Sequence, residues 1–110
     1  MEESINHGTV HFYRTKGIKG AMISAKLRMN NEPISTIKRD WKKTISLPVG
    51  TYVFSAKTEA TTEIKLQVEA GKQYYIKCDL AFGFLVGRIK FTLVDAQEAQ
   101  KEMIGLQAEN

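Results

Sequence analysis

The chain has 110 residues, 43% of them hydrophobic and 25% charged, a composition that fits one globular domain and excludes a fibrous or disordered protein. Its formal charge of +4 and pI near 9.2 favour acidic partners, although the cations are too dispersed for a dedicated nucleic-acid binder. The single cysteine, Cys78, excludes an intrachain disulfide and any zinc site built on two or more thiolates.

Residues 1–7 are polar, and a disordered or extended segment is expected there, ahead of one domain over residues 8–107. The first strand is expected at residues 9–14, with Val10 and Phe12 facing inward and His11 and Tyr13 on the other face. Residues 15–20 hold two glycines and two lysines and read as a basic loop. A longer strand follows at 21–29, where Ile23, Ala25, Leu27 and Met29 alternate with Met22, Ser24, Lys26 and Arg28. Asn30, Asn31 and Pro33 supply turn chemistry before a short strand at 34–38, because Asn tolerates positive φ and Pro fixes φ without donating a hydrogen bond.

Residues 38–43 read as a charged connection carrying Trp41, and a strand at 44–47 ends at Pro48, which cannot donate to a ladder. The clearest alternation lies in residues 47–80. Tyr52, Phe54 and Ala56 share one face, and Ile64, Leu66 and Val68 lie opposite Glu63, Lys65, Gln67 and Glu69. A period of two this regular cannot belong to a helix. In the next strand Cys78 falls in phase with Tyr74 and Ile76, so it is expected to be a buried small hydrophobe, not a reactive thiol. The last strand, 88–94, carries Ile89, Phe91 and Leu93 on one face. Asp95 is a good N-cap with Glu98 three residues on, and Ala96, Ala99, Met103 and Leu106 predict an amphipathic helix over 96–107 against the sheet or its open end.

About seven or eight short strands at hairpin spacing predict an all-β, two-sheet sandwich with one C-terminal α-helix, and a barrel as second choice. The segments Leu47-Pro48-Val49-Gly50-Thr51-Tyr52, Ser55-Ala56-Lys57-Thr58-Glu59-Ala60, Glu69-Ala70-Gly71-Lys72-Gln73-Tyr74-Tyr75 and Gly83-Phe84-Leu85-Val86-Gly87-Arg88 occur in that order after Val10-His11-Phe12-Tyr13-Arg14. Together they resemble a family of small bacterial domains of unknown function that commonly follow lipoprotein or secretory signals. The proline-glycine strand start and the Ala-Gly-Lys turn are also similar to PEGA-type surface modules, which share a small immunoglobulin-like or prealbumin-like sandwich. The resemblance spans roughly residues 8–103. It implies a non-enzymatic module of the periplasm or cell envelope, if a signal segment is removed, and otherwise a cytoplasmic one. It carries over no catalytic residue and no cofactor, and it implies membrane attachment only through a lipid anchor that this chain lacks.

Five constellations bear on function. His7 and His11 are four apart on a strand, but a metal needs a third ligand and none is near in sequence. Glu59 and Glu63 flank a threonine-rich turn; as an acid and base pair they would make a hydrolase, but a wet hairpin tip is the expected setting. Ser24 and Ser55 have no base beside them and are expected to be strand surface or small core residues. Arg39, Trp41 and Lys42, in the densest cationic stretch, are expected to form a solvated loop with Trp41 folded back over the sheet edge or, alternatively, a secondary binding surface for an acidic partner, with only weak, salt-sensitive nucleic-acid association and no sequence-specific one. The stretch 81–87 is the most unusual: Phe82, Phe84, Leu85 and Val86 form an apolar run outside the alternating pattern, where a connection should be polar. It is expected either to lie under the C-terminal helix or, with Arg88, to contact a protein or an envelope polymer. An inhibitor or immunity-type protein that occludes a toxin or enzyme is the alternative.

Overall fold

The computed structural model describes residues 6–109. Nine strands and one helix are present among them, in the order β1 (His7–Arg14), β2 (Ala25–Met29), β3 (Glu32–Ile37), β4 (Trp41–Pro48), β5 (Gly50–Lys57), β6 (Thr61–Val68), β7 (Gln73–Ala81), β8 (Arg88–Val94), α1 (Ala96–Met103) and β9 (Gln107–Ala108). One sheet has the order β8-β7-β1-β4-β9 and the other β3-β2-β5-β6. The two sheets form a sandwich and do not close into a barrel. Of the segment expected to be extended or disordered, residues 1–5 lie outside those described, and His7 opens β1.

The apolar halves of the alternating strands meet between the sheets. Val10, Phe12, Leu27, Ile37, Phe54, Val68, Ile76, Cys78 and Ile89 are fully or almost fully buried there. Phe12 meets Phe54 edge to face across the gap, with ring centroids 4.9 Å apart, the arrangement that the aromatic quadrupole favours. Burial among these side chains pushes the Cys78 thiol well above its usual range, which suppresses the thiolate. Asn30 and Asn31 take φ values of 50° and 72°, so the β2–β3 hairpin turns on two left-handed residues as their chemistry suggested.

Three expectations are corrected. The strand expected at 21–29 begins only at Ala25, because residues 18–23 fold into turns, with Ala21 N–H donating to Ile18 O and Ile23 N–H to Gly20 O. The charged connection at 38–43 is half strand: β4 starts at Trp41 and pairs antiparallel with all of β1, from Arg14↔Trp41 to His7↔Pro48. Tyr13 lies on the second face of β1 as expected and is fully buried there, because Ala99 of α1, Tyr75 and Leu106 close over it. Its hydroxyl donates to Glu102 at 2.6 Å. The helix ends at Met103 instead of residue 107; Gly105 turns the chain at φ 80°, and Gln107 and Ala108 then pair in parallel with Trp41 and Lys42. Leu93, on the same face as Ile89 and Phe91, is exposed near the end of β8.

One pairing decides where a site can form. β1 and β7 run parallel, from Thr9↔Gln73 to Tyr13↔Lys77. Their C-terminal ends therefore lie at the same end of the sandwich, and the loops that leave them, residues 15–24 and 82–87, emerge side by side.

Candidate functional site

The two loops are built by opposite charges. In the 82–87 loop four successive backbone N–H groups converge on the Glu59 carboxylate: Phe84 donates to Oε2, and Leu85, Val86 and Gly87 donate to Oε1 at 2.7, 2.7 and 2.9 Å. Such a run of amides makes an anion-binding concavity, and here the turn between β5 and β6 fills it from within the chain. Thr58 adds a bond from Oγ1 to Gly87 O at 2.5 Å, and Arg88 Nε stands 3.9 Å from Glu59 Oε2. Gly83 has no side chain because none fits: a Cβ there would lie 2.5 Å from the Glu59 carboxylate.

The 15–24 loop is held by a cation. Arg14, the last residue of β1 and only 4% exposed, donates from Nη1 to Ile23 O and from Nη2 to Gly20 O, both at 2.7 Å. Desolvation lowers its pKa, but a guanidinium keeps its charge in a protein. Gly20, at φ 64°, packs directly onto the Leu80 side chain, where a Cβ would collide. That contact seats the first loop on the base of the second. A groove of about 360 Å³ runs between them, lined by Lys19, Ile23, Leu80, Phe82, Leu85 and Val86 among others.

With both backbones braced inward, the apolar side chains point out. Phe82, Phe84 and Leu85 are almost wholly exposed, Phe84 at 91%, and Val86 is about half exposed. Ile18 and Met22 of the neighbouring loop are equally exposed, Met22 at 96%. Lys19 Nζ stands 4.2 Å above the Phe82 ring, within cation–π range. The helix α1 covers none of this; it packs on Tyr13 and Tyr75 on the outer face of the five-stranded sheet.

The basic surface proposed around Trp41 is differently placed. The indole is 1% exposed, and Nε1 donates to Glu109 Oε1 at 2.6 Å. That carboxylate also accepts from Ser35 Oγ and Lys43 Nζ, so Trp41 is locked under the C-terminal residues and is covered against stacking on a ligand. Lys42 donates to Met103 O. Arg39 alone of the three reaches the loops, donating from Nε to Lys16 O at 2.9 Å.

Glu59 and Glu63 do not make an acid and base pair. Four amides hold the Glu59 carboxyl at a pKa of about 2, the Phe84 N–H contributing most, and Glu63 stands exposed on β6. Such a carboxylate is a poor proton acceptor and is never a proton donor near neutrality. The unfolded chain holds a glutamate that titrates near 4.3, so the stabilisation is complete above that value and is lost as the pH falls towards 2. The amide resonances of Phe84 to Gly87 are therefore expected to titrate with a midpoint of about 2 when followed by NMR. A midpoint near the ordinary glutamate value would show that the clamp does not form in solution.

His11 is engaged on both ring nitrogens, Nδ1 with Thr44 Oγ1 at 2.8 Å and Nε2 with Gln73 Oε1 at 2.6 Å, and stacks on Tyr75. Among the described residues no group of three or more His, Cys, Asp or Glu side chains could hold a metal ion. Sequence reading missed Ile18, Met22, Arg14 and the role of Glu59. The available signal was a pair of glycines, Gly17 and Gly20, enclosing Ile18 in a polar stretch, the same pattern that singled out Phe84 and Leu85 between Gly83 and Gly87. Comparison with family models, with curated proteins and with solved structures finds no match.

Proposed function

We propose that this chain is a non-catalytic binding module of the bacterial cell envelope, and that it meets its partner with the paired loops 15–24 and 82–87. The observation that carries this is the exposure of Phe82, Phe84 and Leu85 on a backbone that Glu59 ties down. Contiguous apolar surface in water is unfavourable, and in a folded monomer a patch of this kind marks a contact site. A loop left slack could fold its side chains back; this one is braced so that they stay out. The envelope assignment rests on the sequence resemblance alone.

Phe84→Asp with Leu85→Asp is expected to leave the thermal midpoint within a few degrees of wild type, since both side chains are already solvated. The same variant is expected to lose retention by a bacterial envelope fraction, while Val49→Asp, in an exposed turn at the opposite strand ends, keeps it. Strong destabilisation of the loop variant would mean the loop is packed in solution, and unchanged retention would move the contact elsewhere. The bracing also supports a second reading, an inhibitor or immunity-type protein whose rigid tip fills the cleft of a toxin or enzyme. That reading requires an equimolar complex with one soluble protein, which size-exclusion chromatography with light scattering would detect.

A further inference from the structure

Resting on the reading of the paired loops as the binding end, we propose that their ligand is the surface of a lipid bilayer that carries anionic headgroups. The contact is made by the domain's own side chains. Six of the nine exposed large hydrophobic residues among those described, Ile18, Met22, Phe82, Phe84, Leu85 and Val86, lie in these two loops. Five of the six are at least 81% exposed, so nearly all of their surface faces water. The boundary between headgroups and acyl chains admits protruding apolar groups to a depth of about 5–10 Å without a shaped pocket.

The charge around the tip selects the headgroup. Lys16 and Lys19 lie in the first loop, Lys38 and Arg39 in the β3–β4 connection, and Lys57 and Arg88 on the strands that flank the β5–β6 turn and the second loop. These elements share one end: Asp40 N–H donates to Thr15 O, Arg39 to Lys16 O, and Thr58 and Glu59 bond the second loop. Three carboxylates near this end are engaged within the chain, while Glu63, the third residue of β6, stands exposed. Glu59 is turned inward at 10% side-chain exposure, Asp79 stands 3.8 Å from Lys77 Nζ, and Asp40 Oδ1 accepts the Gln107 N–H. The tip therefore offers a bilayer an apolar centre in a cationic surround, the two contributions that add in interfacial binding. Lys19 over Phe82 joins them, since its ammonium can meet a phosphate while the ring beneath it enters the apolar layer.

The test is flotation of the whole chain with unilamellar vesicles of phosphatidylcholine alone and with about a third phosphatidylglycerol. Wild type is expected to float with the anionic vesicles at least tenfold more strongly than with the neutral ones, and to do so less as salt rises. Phe84→Asp with Leu85→Asp should lower partitioning more than tenfold, and Lys19→Ala about fivefold, with Val49→Asp unchanged. Phe84→Trp supplies a readout independent of those charges: its emission should shift to the blue on anionic vesicles and be quenched by lipids brominated in the acyl chain. Equal or negligible flotation of wild type on both compositions, or an unquenched tryptophan at position 84, would overturn the inference. In that case, envelope retention still lost in the loop variant would leave the binding-end reading standing with a protein as the occupant. Retention unchanged in the loop variant would sink both.

Discussion

Phe54→Ala is expected to lower stability by about 3–5 kcal/mol, the usual loss for a buried aromatic truncated to a methyl group. Phe54 is wholly inaccessible, lies in the middle of β5, and meets Phe12 across the two sheets. Its removal takes away both the transfer energy of the ring and the edge-to-face contact, and it leaves a cavity that two strand-locked sheets cannot close. Ile64, its cross-strand neighbour in β6, is only half-buried, so Ile64→Ala should lose less, about 1–2 kcal/mol. Urea unfolding should show both losses as a shifted midpoint at constant slope. A loss below about 0.5 kcal/mol at Phe54 would contradict the placement of the core.

Arg14→Met is expected to lower stability by about 2–4 kcal/mol, because two charge-assisted hydrogen bonds to part-buried carbonyls disappear together. Methionine keeps the apolar stem, so the comparison isolates the guanidinium. Gly20 O and Ile23 O, each bonded at 2.7 Å in the wild type, must then find water or open the loop. Arg14→Lys retains the charge but offers a point cation in place of a planar fork, and it should fall between the two. Hydrogen exchange adds a local readout: amides of residues 18–23 should lose protection in Arg14→Met while those of β5 and β6 keep theirs. Unchanged exchange in that loop would show that Arg14 does not hold it. Because Ile18 and Met22 sit on this loop, its release should also weaken flotation with anionic vesicles.

The sandwich was legible because strand alternation is local. Tyr52, Phe54 and Ala56, then Ile64, Leu66 and Val68, declare their inward face within a few residues, and the cross-strand register follows from that face. Asn30 with Asn31, Pro48 and Asp95 mark boundaries by backbone chemistry that needs no distant partner. Half of the binding end could be read the same way, as Phe82, Phe84, Leu85 and Val86 break the alternating pattern around Gly83 and ahead of Gly87. Tertiary structure alone decided the rest. Nothing near Tyr13 in sequence announces that α1, more than eighty positions away, will bury it, and nothing near Trp41 announces Glu109. Glu59 read as a solvated turn residue, and Arg14 as the end of a strand, because the amides and carbonyls they hold belong to backbone whose direction is set only when the sheets pair. The parallel register of β1 with β7 brings the loops at 15–24 and 82–87 to one end. Local periodicity assigns a face to each strand, but only long-range pairing assigns its neighbours, and the apolar tip with its cationic surround is a property of neighbours.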